Sequence, residues 1–251
     1  MSTVPQPPRV ALIIPVLNEA EVIGRVLDEV PREAVERVLV VDGESTDETT
    51  TVAAAHGAEV VRQRERGYGA ACWAGVEAAR DCDLLVFLDG DYSDPPGDLE
   101  RLLTPLRAGT ADLVLGCRDF MPGALPPHAR LGNRLVLAII RLLVGRSFSD
   151  LPSYKAIRAD RLAALDMRER TYGWTTEMIV KAARQGLRIV EVRVGYRERG
   201  GGRSKVSGTI RGTLGAGYKL ISTAIRCTRA PLPGSAAPAR GSAERTGRSA
   251  G

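Results

Sequence analysis

The run Leu84-Leu85-Val86-Phe87-Leu88-Asp89-Gly90-Asp91 decides how the rest of the chain is read. Five apolar residues ending in two carboxylates one residue apart describe a buried strand that delivers acids to the carboxyl edge of a sheet, where open α/β folds bind ligands. Mg²⁺ or Mn²⁺ is commonly held by one or two protein carboxylates, its other positions left to water and phosphate oxygens. The pair therefore points to a metal-diphosphate site. Asp-Gly is also a turn dipeptide, and Asp91 can equally cap the turn ahead of Pro95-Pro96.

Working outward, a second strand end of the same kind stands upstream, where Arg37-Val38-Leu39-Val40-Val41 runs into Asp42 and Gly43-Glu44-Ser45-Thr46-Asp47-Glu48. Ser45 or Thr46 is expected to cap a helix with Asp47 and Glu48 in its first turn. Arg9 to Pro15 is another apolar run, followed by Val16-Leu17-Asn18-Glu19 and an amphipathic stretch from Glu21 to Val30. Glu59 to Gln63 precedes the glycine-punctuated Arg66-Gly67-Tyr68-Gly69-Ala70-Ala71 and a helix ending near Arg80. This alternation predicts an α/β domain with a mostly parallel central sheet and helices on both faces.

Four segments occur in order: Ile14-Pro15-Val16-Leu17-Asn18-Glu19, Val40 to Asp47, Gly67-Tyr68-Gly69-Ala70-Ala71, and Phe87-Leu88-Asp89-Gly90-Asp91. Together they resemble the inverting glycosyltransferases of family 2, and the downstream half is most similar to the dolichol-phosphate and polyprenyl-phosphate sugar synthases. The resemblance covers about residues 9 to 226. It implies a Rossmann-like glycosyltransferase-A fold in a single domain, with a nucleotide-sugar half (9–118) and an acceptor half (119–227), while composition predicts a flexible lead (1–8) and a disordered tail (228–251). It also implies that Pro15, Leu17, Glu19, Asp42 and Gln63 line the nucleoside pocket, and that Asp89, Gly90 and Asp91 face Mg²⁺ or Mn²⁺ and the diphosphate. Gly43 stands where a second Asp is usual and Tyr68 where Lys is common, which leaves uridine and guanosine both open.

Downstream, Ala111 to Gly116 reads as a strand delivering Arg118. In the related synthases residues matching Arg118 and Arg130 meet the acceptor phosphate, a task that suits the bidentate guanidinium; solvated arginines are the plainer reading. Ser149 to Lys155 resembles the segment that closes over the donor sugar, although Ser-Gly-Phe is commoner where Ser153-Tyr154-Lys155 stands. Glu177, in a helix opening at Tyr172-Gly173-Trp174, resembles the family acid facing sugar or acceptor, while Trp174 is either core or sugar platform. In the family the residues matching Arg203 and Lys205 lie on a loop that folds over the phosphates.

Charge places the positive surplus near that loop. Between Arg197 and Arg229 eight Lys and Arg stand against Glu198 alone, in a chain whose net charge is only +5. With aromatics at 4%, phosphate capture fits this better than a nucleic-acid reading surface, though a solvated charge run has the same composition. Four cysteines without paired spacing and no secretory leader predict reduced thiols and a cytoplasmic setting. Two histidines argue against a histidine-rich zinc centre or a Ser-His-Asp triad. No stretch reaches the roughly 18 apolar residues of a bilayer span. Leu135 to Val144, with Arg134 and Arg141, and the stripe Ile210, Leu214, Tyr218, Ile221, Ile225 are candidates for lying at the headgroup boundary, or else for packing or dimer contacts.

The function these features imply is metal-dependent transfer of a hexose, mannose or glucose, from GDP- or UDP-sugar to a polyprenyl phosphate on the cytoplasmic face of the membrane. A family 2 enzyme acting on a hydroxyl, with Glu177 or Asp94 as base, is the rival. A nucleotide-sugar binder without turnover stands further off. A nucleotidyltransferase is disfavoured because Pro15 to Glu19 replaces its glycine-rich signature.

Overall fold

The computed structural model describes residues 6–118, 127–201 and 210–229. Seven strands form one sheet: β1 (Val10–Val16), β2 (Arg37–Asp42), β3 (Glu59–Arg62), β4 (Leu84–Phe87), β5 (Leu113–Arg118), β6 (Lys155–Arg158) and β7 (Ile189–Val194). Their order is β3-β2-β1-β4-β6-β5-β7. All pairings are parallel except those of β6, which runs against both β4 and β5. The helices are α1 (Ile23–Asp28), α2 (Thr49–Ala55), α3 (Tyr68–Ala78), α4 (Leu99–Arg107), α5 (Pro127–Val144), α6 (Ala159–Ala164), α7 (Trp174–Arg184) and α8 (Ile210–Arg229).

The unbroken apolar runs follow from burial on both faces of the sheet. In β1, Ala11 and Ile13 join one core with Cys72, Val136, Ile140, Trp174, Met178 and Ala224. Val10, Leu12 and Ile14 join the opposite core with Ile23, Leu27, Leu102 and Leu103. The expected mostly parallel sheet flanked by helices is the fold that forms. β6, which the sequence reading did not mark as a strand, is inserted antiparallel between β4 and β5.

Chain direction puts the carboxyl ends of β1, β2, β3, β4, β5 and β7 on one edge, where β6 begins. The sheet order reverses between β1 and β4, the place where such folds open a crevice. The register sets Val16 beside Asp42 and Ile13 beside Phe87, so the loops after β1, β2 and β4 emerge together.

One local expectation changes. Glu48, not Ser45 or Thr46, is the N-cap residue of α2, and its side chain makes no cap bond. The amides of Ser45 and Thr46 are instead taken by the Asp42 carboxylate (3.1 Å) and Asn18 Oδ1 (2.8 Å). Asp42 acts from three residues back and Asn18 from the neighbouring loop, while Asp47 Oδ1 accepts the Thr49 amide (3.1 Å) at the start of α2.

Candidate functional site

Three of the four non-glycine residues with left-handed backbone among the described residues, Asn18, Glu44 and Tyr92, sit in the loops of this one edge. Such strain persists only where surroundings over-determine it, and it clusters at working sites. Asn18 shows how. Its backbone amide donates to Ser45 Oγ (2.9 Å), while its side-chain carbonyl accepts from Thr46, which locks the β1 and β2 loops together.

The nucleoside-side candidates converge here. Asp42 is buried at the end of β2, and the Gln63 backbone N–H donates to the Asp42 backbone carbonyl (3.2 Å). A Cβ on Gly43 would lie 3.1 Å from the Val16 carbonyl, 3.3 Å from Gln63 Nε2 and 3.5 Å from Leu17 Cβ, so these residues share one small space. Glu19 is buried, with its amide given to Thr49 Oγ1 (2.8 Å). Pro15 and Leu17 are partly buried beside them.

Across from this group, β4 delivers Asp89 and Asp91. Asp89 as a residue is only partly buried, yet its Oδ1 is shielded from solvent and has no hydrogen-bond partner. Burial pushes its carboxyl upward, as does the charge of Asp91, against the pull of Lys155. Asp91 Oδ1 accepts from the Ser93 amide (3.0 Å) and hydroxyl (2.6 Å), and its Oδ2 accepts from Arg199 (2.8 Å). Asp94 is buried and raised to about 7, first by desolvation and then by the charge of Asp89. Ser153 donates to one Asp94 oxygen (2.7 Å), while the other has no partner.

Gln63 Oε1, the Tyr68 hydroxyl, Asp89 Oδ1 and Asp94 Oδ1 are all shielded polar atoms without a partner, a condition that native interiors rarely leave uncorrected. Asp89 and Asp91 offer hard oxygen ligands that fit Mg²⁺ or Mn²⁺. No group of three or more His, Cys, Asp or Glu able to hold a metal occurs among the described residues. A cation here therefore needs further oxygens from a ligand such as a diphosphate.

The acceptor-side candidates are distributed differently. Arg118, at the end of β5, makes a bidentate pair with the buried Asp150 (2.8 and 3.0 Å), and its guanidinium lies 5.5 Å from the Tyr196 ring. Asn133 of α5 also donates to Asp150 (3.3 Å). Arg130 falls one turn before Asn133, with its side chain outside the described residues, and Arg203 and Lys205 lie wholly outside them.

Glu177 has another setting than the one its resemblance implies. It is 2% exposed, accepts from the amides of Arg168 (3.0 Å) and Glu169 (2.6 Å), and pairs with Lys181 (2.8 Å). Oε2 thus holds the segment before α7, while Oε1 is taken by Lys181 one turn along the same helix. Trp174 belongs to the core, fully buried and edge-on to Trp73 and Phe87 at 6.2 Å.

Tyr154 and Lys155 also lie beneath the site instead of closing over it. Tyr154 donates to the Pro96 carbonyl (3.2 Å), and the buried Lys155 ammonium donates to the Ser153 carbonyl (2.8 Å) near the Tyr68 and Phe87 rings. A buried lysine, Asp150 as the partner of Arg118, and Arg199 on Asp91 are contributions that the linear reading missed.

The chain matches the family model described as Glycosyl transferase family 2 over residues 11–143. It is 41% identical over 206 residues to an uncharacterized glycosyltransferase of Mycobacterium tuberculosis, covering 82% of this chain and 93% of that protein. It is 37% identical over 223 residues to the undecaprenyl-phosphate mannosyltransferase of Micrococcus luteus, covering 81% and 90%. Among solved structures, glucosyl-3-phosphoglycerate synthase of M. tuberculosis, in complex with Mn²⁺, UDP-glucose and phosphoglyceric acid, superposes with a TM-score of 0.75 at 26% identity, covering 89% and 81%. With this family match and the edge that carries Asp42, Asp89 and Asp91, the chain belongs to glycosyltransferase family 2.

Proposed function

We propose that this glycosyltransferase moves a hexose from a nucleoside-diphosphate sugar, of the GDP-mannose or UDP-glucose type, to a polyprenyl phosphate at the cytoplasmic membrane surface. The observation that carries the reading is the pair Asp89 and Asp91 at the switch point, on the same edge as Asp42, Glu19 and Gln63, with Asp89 Oδ1 and Gln63 Oε1 shielded and without partners. The name of the M. luteus relative supports the lipid-phosphate acceptor. The UDP-glucose and Mn²⁺ complex of the mycobacterial synthase supports a nucleotide-sugar donor with a divalent cation.

In this scheme Asp42 and Gln63 orient the nucleoside, and Asp89 and Asp91 would hold the cation. A bound Mg²⁺ or Mn²⁺ supplies charge neutralisation to the departing diphosphate. An acceptor phosphate oxygen bonds to the sugar C1 as the bond from C1 to the diphosphate oxygen breaks. A phosphate is already anionic near neutral pH, so no proton has to be removed. Arg118, fixed by Asp150, is the described cation suited to positioning that acceptor, with Arg130, Arg203 and Lys205 as further candidates.

No helix among the described residues is long and apolar enough to cross a membrane, so lipid access in this reading is peripheral. The solvent side of α5 carries Leu135, Leu142, Arg134 and Arg141. Tyr218 is exposed on α8, where Ile221 and Ile225 line a groove rimmed by Arg226 and Arg229. Apolar anchors ringed by cations suit an anionic lipid interface.

The test is product formation. Purified protein with Mn²⁺, labelled GDP-mannose or UDP-glucose, and undecaprenyl phosphate should yield an organic-extractable labelled lipid. Asp91→Asn should lower that yield by roughly a hundredfold or more. Absence of lipid product with both donors counts against the reading. The buried Asp94, raised to about 7, favours one second reading, transfer to a hydroxyl with Asp94 as base. Hydroxyl-linked product that disappears in Asp94→Asn would select it.

A further inference from the structure

Residues Arg197 to Gly201 follow β7 and are laid back across the carboxyl edge. Arg197 donates its amide to the Ser93 carbonyl (2.9 Å) and its guanidinium to Glu29 (2.7 and 3.0 Å), and it stacks 4.7 Å from the Tyr92 ring centroid. The Gly200 amide donates to the Asp91 carbonyl (3.1 Å). A Cβ on Gly200 would lie 3.1 Å from both Tyr92 Cβ and Val22 Cγ1, so the backbone is seated on the site without a gap.

Arg199 fastens the centre of this strap. Nη1 donates to Asp91 Oδ2 (2.8 Å), Nη2 to Glu19 Oε1, and Nε to the Gly201 carbonyl (2.8 Å). One guanidinium therefore ties the carboxylate proposed for the cation to the carboxylate proposed for the nucleoside side. The three groups are mostly shielded, with side-chain exposures of 25% for Arg199, 16% for Asp91 and 7% for Glu19.

We propose that Arg199 is a built-in competitor of the divalent cation: in the donor-free enzyme it occupies Asp91, so that free metal binds weakly and the metal complex of a nucleoside diphosphate is taken up as a unit. The inference deepens the donor reading above and rests on it. A guanidinium cannot be removed by deprotonation, so a cation arriving at Asp91 has to compete with a permanent charge. Metal alone takes over Asp91 but strands Arg199 beside a new positive charge. A diphosphate arriving with the metal gives the released guanidinium fresh oxygens, and linkage makes the two displacements reciprocal.

The experiment titrates Mn²⁺ into donor-free protein and follows loss of the free-ion paramagnetic resonance signal, with and without UDP or GDP. Arg199→Gln should bind free Mn²⁺ roughly ten- to hundredfold more tightly than the wild type, the usual span of an intramolecular coupling. Arg197→Gln removes an equal charge from the same strap without touching Asp91 and should leave the affinity for free Mn²⁺ near that of the wild type. The combination of Arg199→Gln with Asp91→Asn should lose the gain. Glu19→Gln, which cuts the other arm of the clamp, should give a smaller gain and serves if Arg199→Gln does not fold. Equal gains in the Arg197 and Arg199 variants, or no gain in Arg199→Gln while nucleotide still promotes Mn²⁺ binding, overturn the competitor role and leave the donor reading standing. No Mn²⁺ binding by any of these proteins with either nucleotide overturns the donor reading itself.

Discussion

Gly90 has to be glycine for reasons of space: a Cβ there would come within 2.5 Å of Val16 Cγ1. β1 and the β4 loop touch at that point, so Gly90→Ala is expected to displace Asp89 and Asp91 together. Metal-nucleotide affinity measured by calorimetry should fall by about tenfold or more, since displacements near 1 Å at a site carry penalties of up to roughly a hundredfold. Asp150 is the matching point on the acceptor side, 2% exposed and paired twice with Arg118. Replacing it by Asn leaves a partly buried guanidinium short of its counter-charge. Loss of about 2 to 4 kcal/mol in denaturant unfolding is expected, together with a raised KM for the acceptor. At this scale the sequence marked Asp89, Asp91, Asp42 and Arg118 correctly as strand-end residues, because a strand's end is set by its own apolar run. Asp150 as the partner of Arg118 and Arg199 as the partner of Asp91 were not legible, being 32 and 108 positions away.

Among the elements, β5 and β7 are sealed at their beginnings by Asp112 and Arg188. Arg188 donates to both Asp112 oxygens (2.9 and 3.0 Å), and this hydrogen bonding holds the Asp112 carboxyl down to about 2 from an ordinary value of 3.8. The unfolded chain takes up that proton first on acidification. The stability conferred by the pair is therefore complete above pH 4 and drains away as pH falls toward 2. Asp112→Asn should flatten the acid limb of a stability-versus-pH curve between pH 4 and 2 while lowering stability at pH 7. α8 is held by Glu169, which accepts from Thr223 (3.3 Å) and Arg226 (2.6 Å) and pairs with Lys219 (3.2 Å). Glu169→Gln should speed amide hydrogen exchange in α8 more than in the sheet, as expected of a locally detachable unit. Nothing in the linear pattern of α8 announced this docking, because its acidic partner lies in the segment before α7.

For the whole molecule, the exposed Leu135 and Leu142 of α5 lie beside Arg134 and Arg141, and the exposed Tyr218 of α8 beside Arg226 and Arg229, so the proposed peripheral contact predicts binding to anionic vesicles. Flotation with phosphatidylglycerol vesicles should retain the protein at low salt and release it as salt rises. Leu135→Glu with Leu142→Glu should weaken flotation without lowering the unfolding temperature by more than about 2 °C, since both side chains are solvent-exposed. The sequence by itself determined the α/β class, the parallel strands and the acids at their ends, because burial on both faces demands continuous apolar runs and chain direction then fixes which residues emerge at the carboxyl edge. Only the tertiary structure decided that β6 enters antiparallel, that Lys155 and Glu177 are buried, and that Arg199 sits on Asp91. Each of those outcomes depends on how whole elements pack against one another, and local pattern carries no record of that packing.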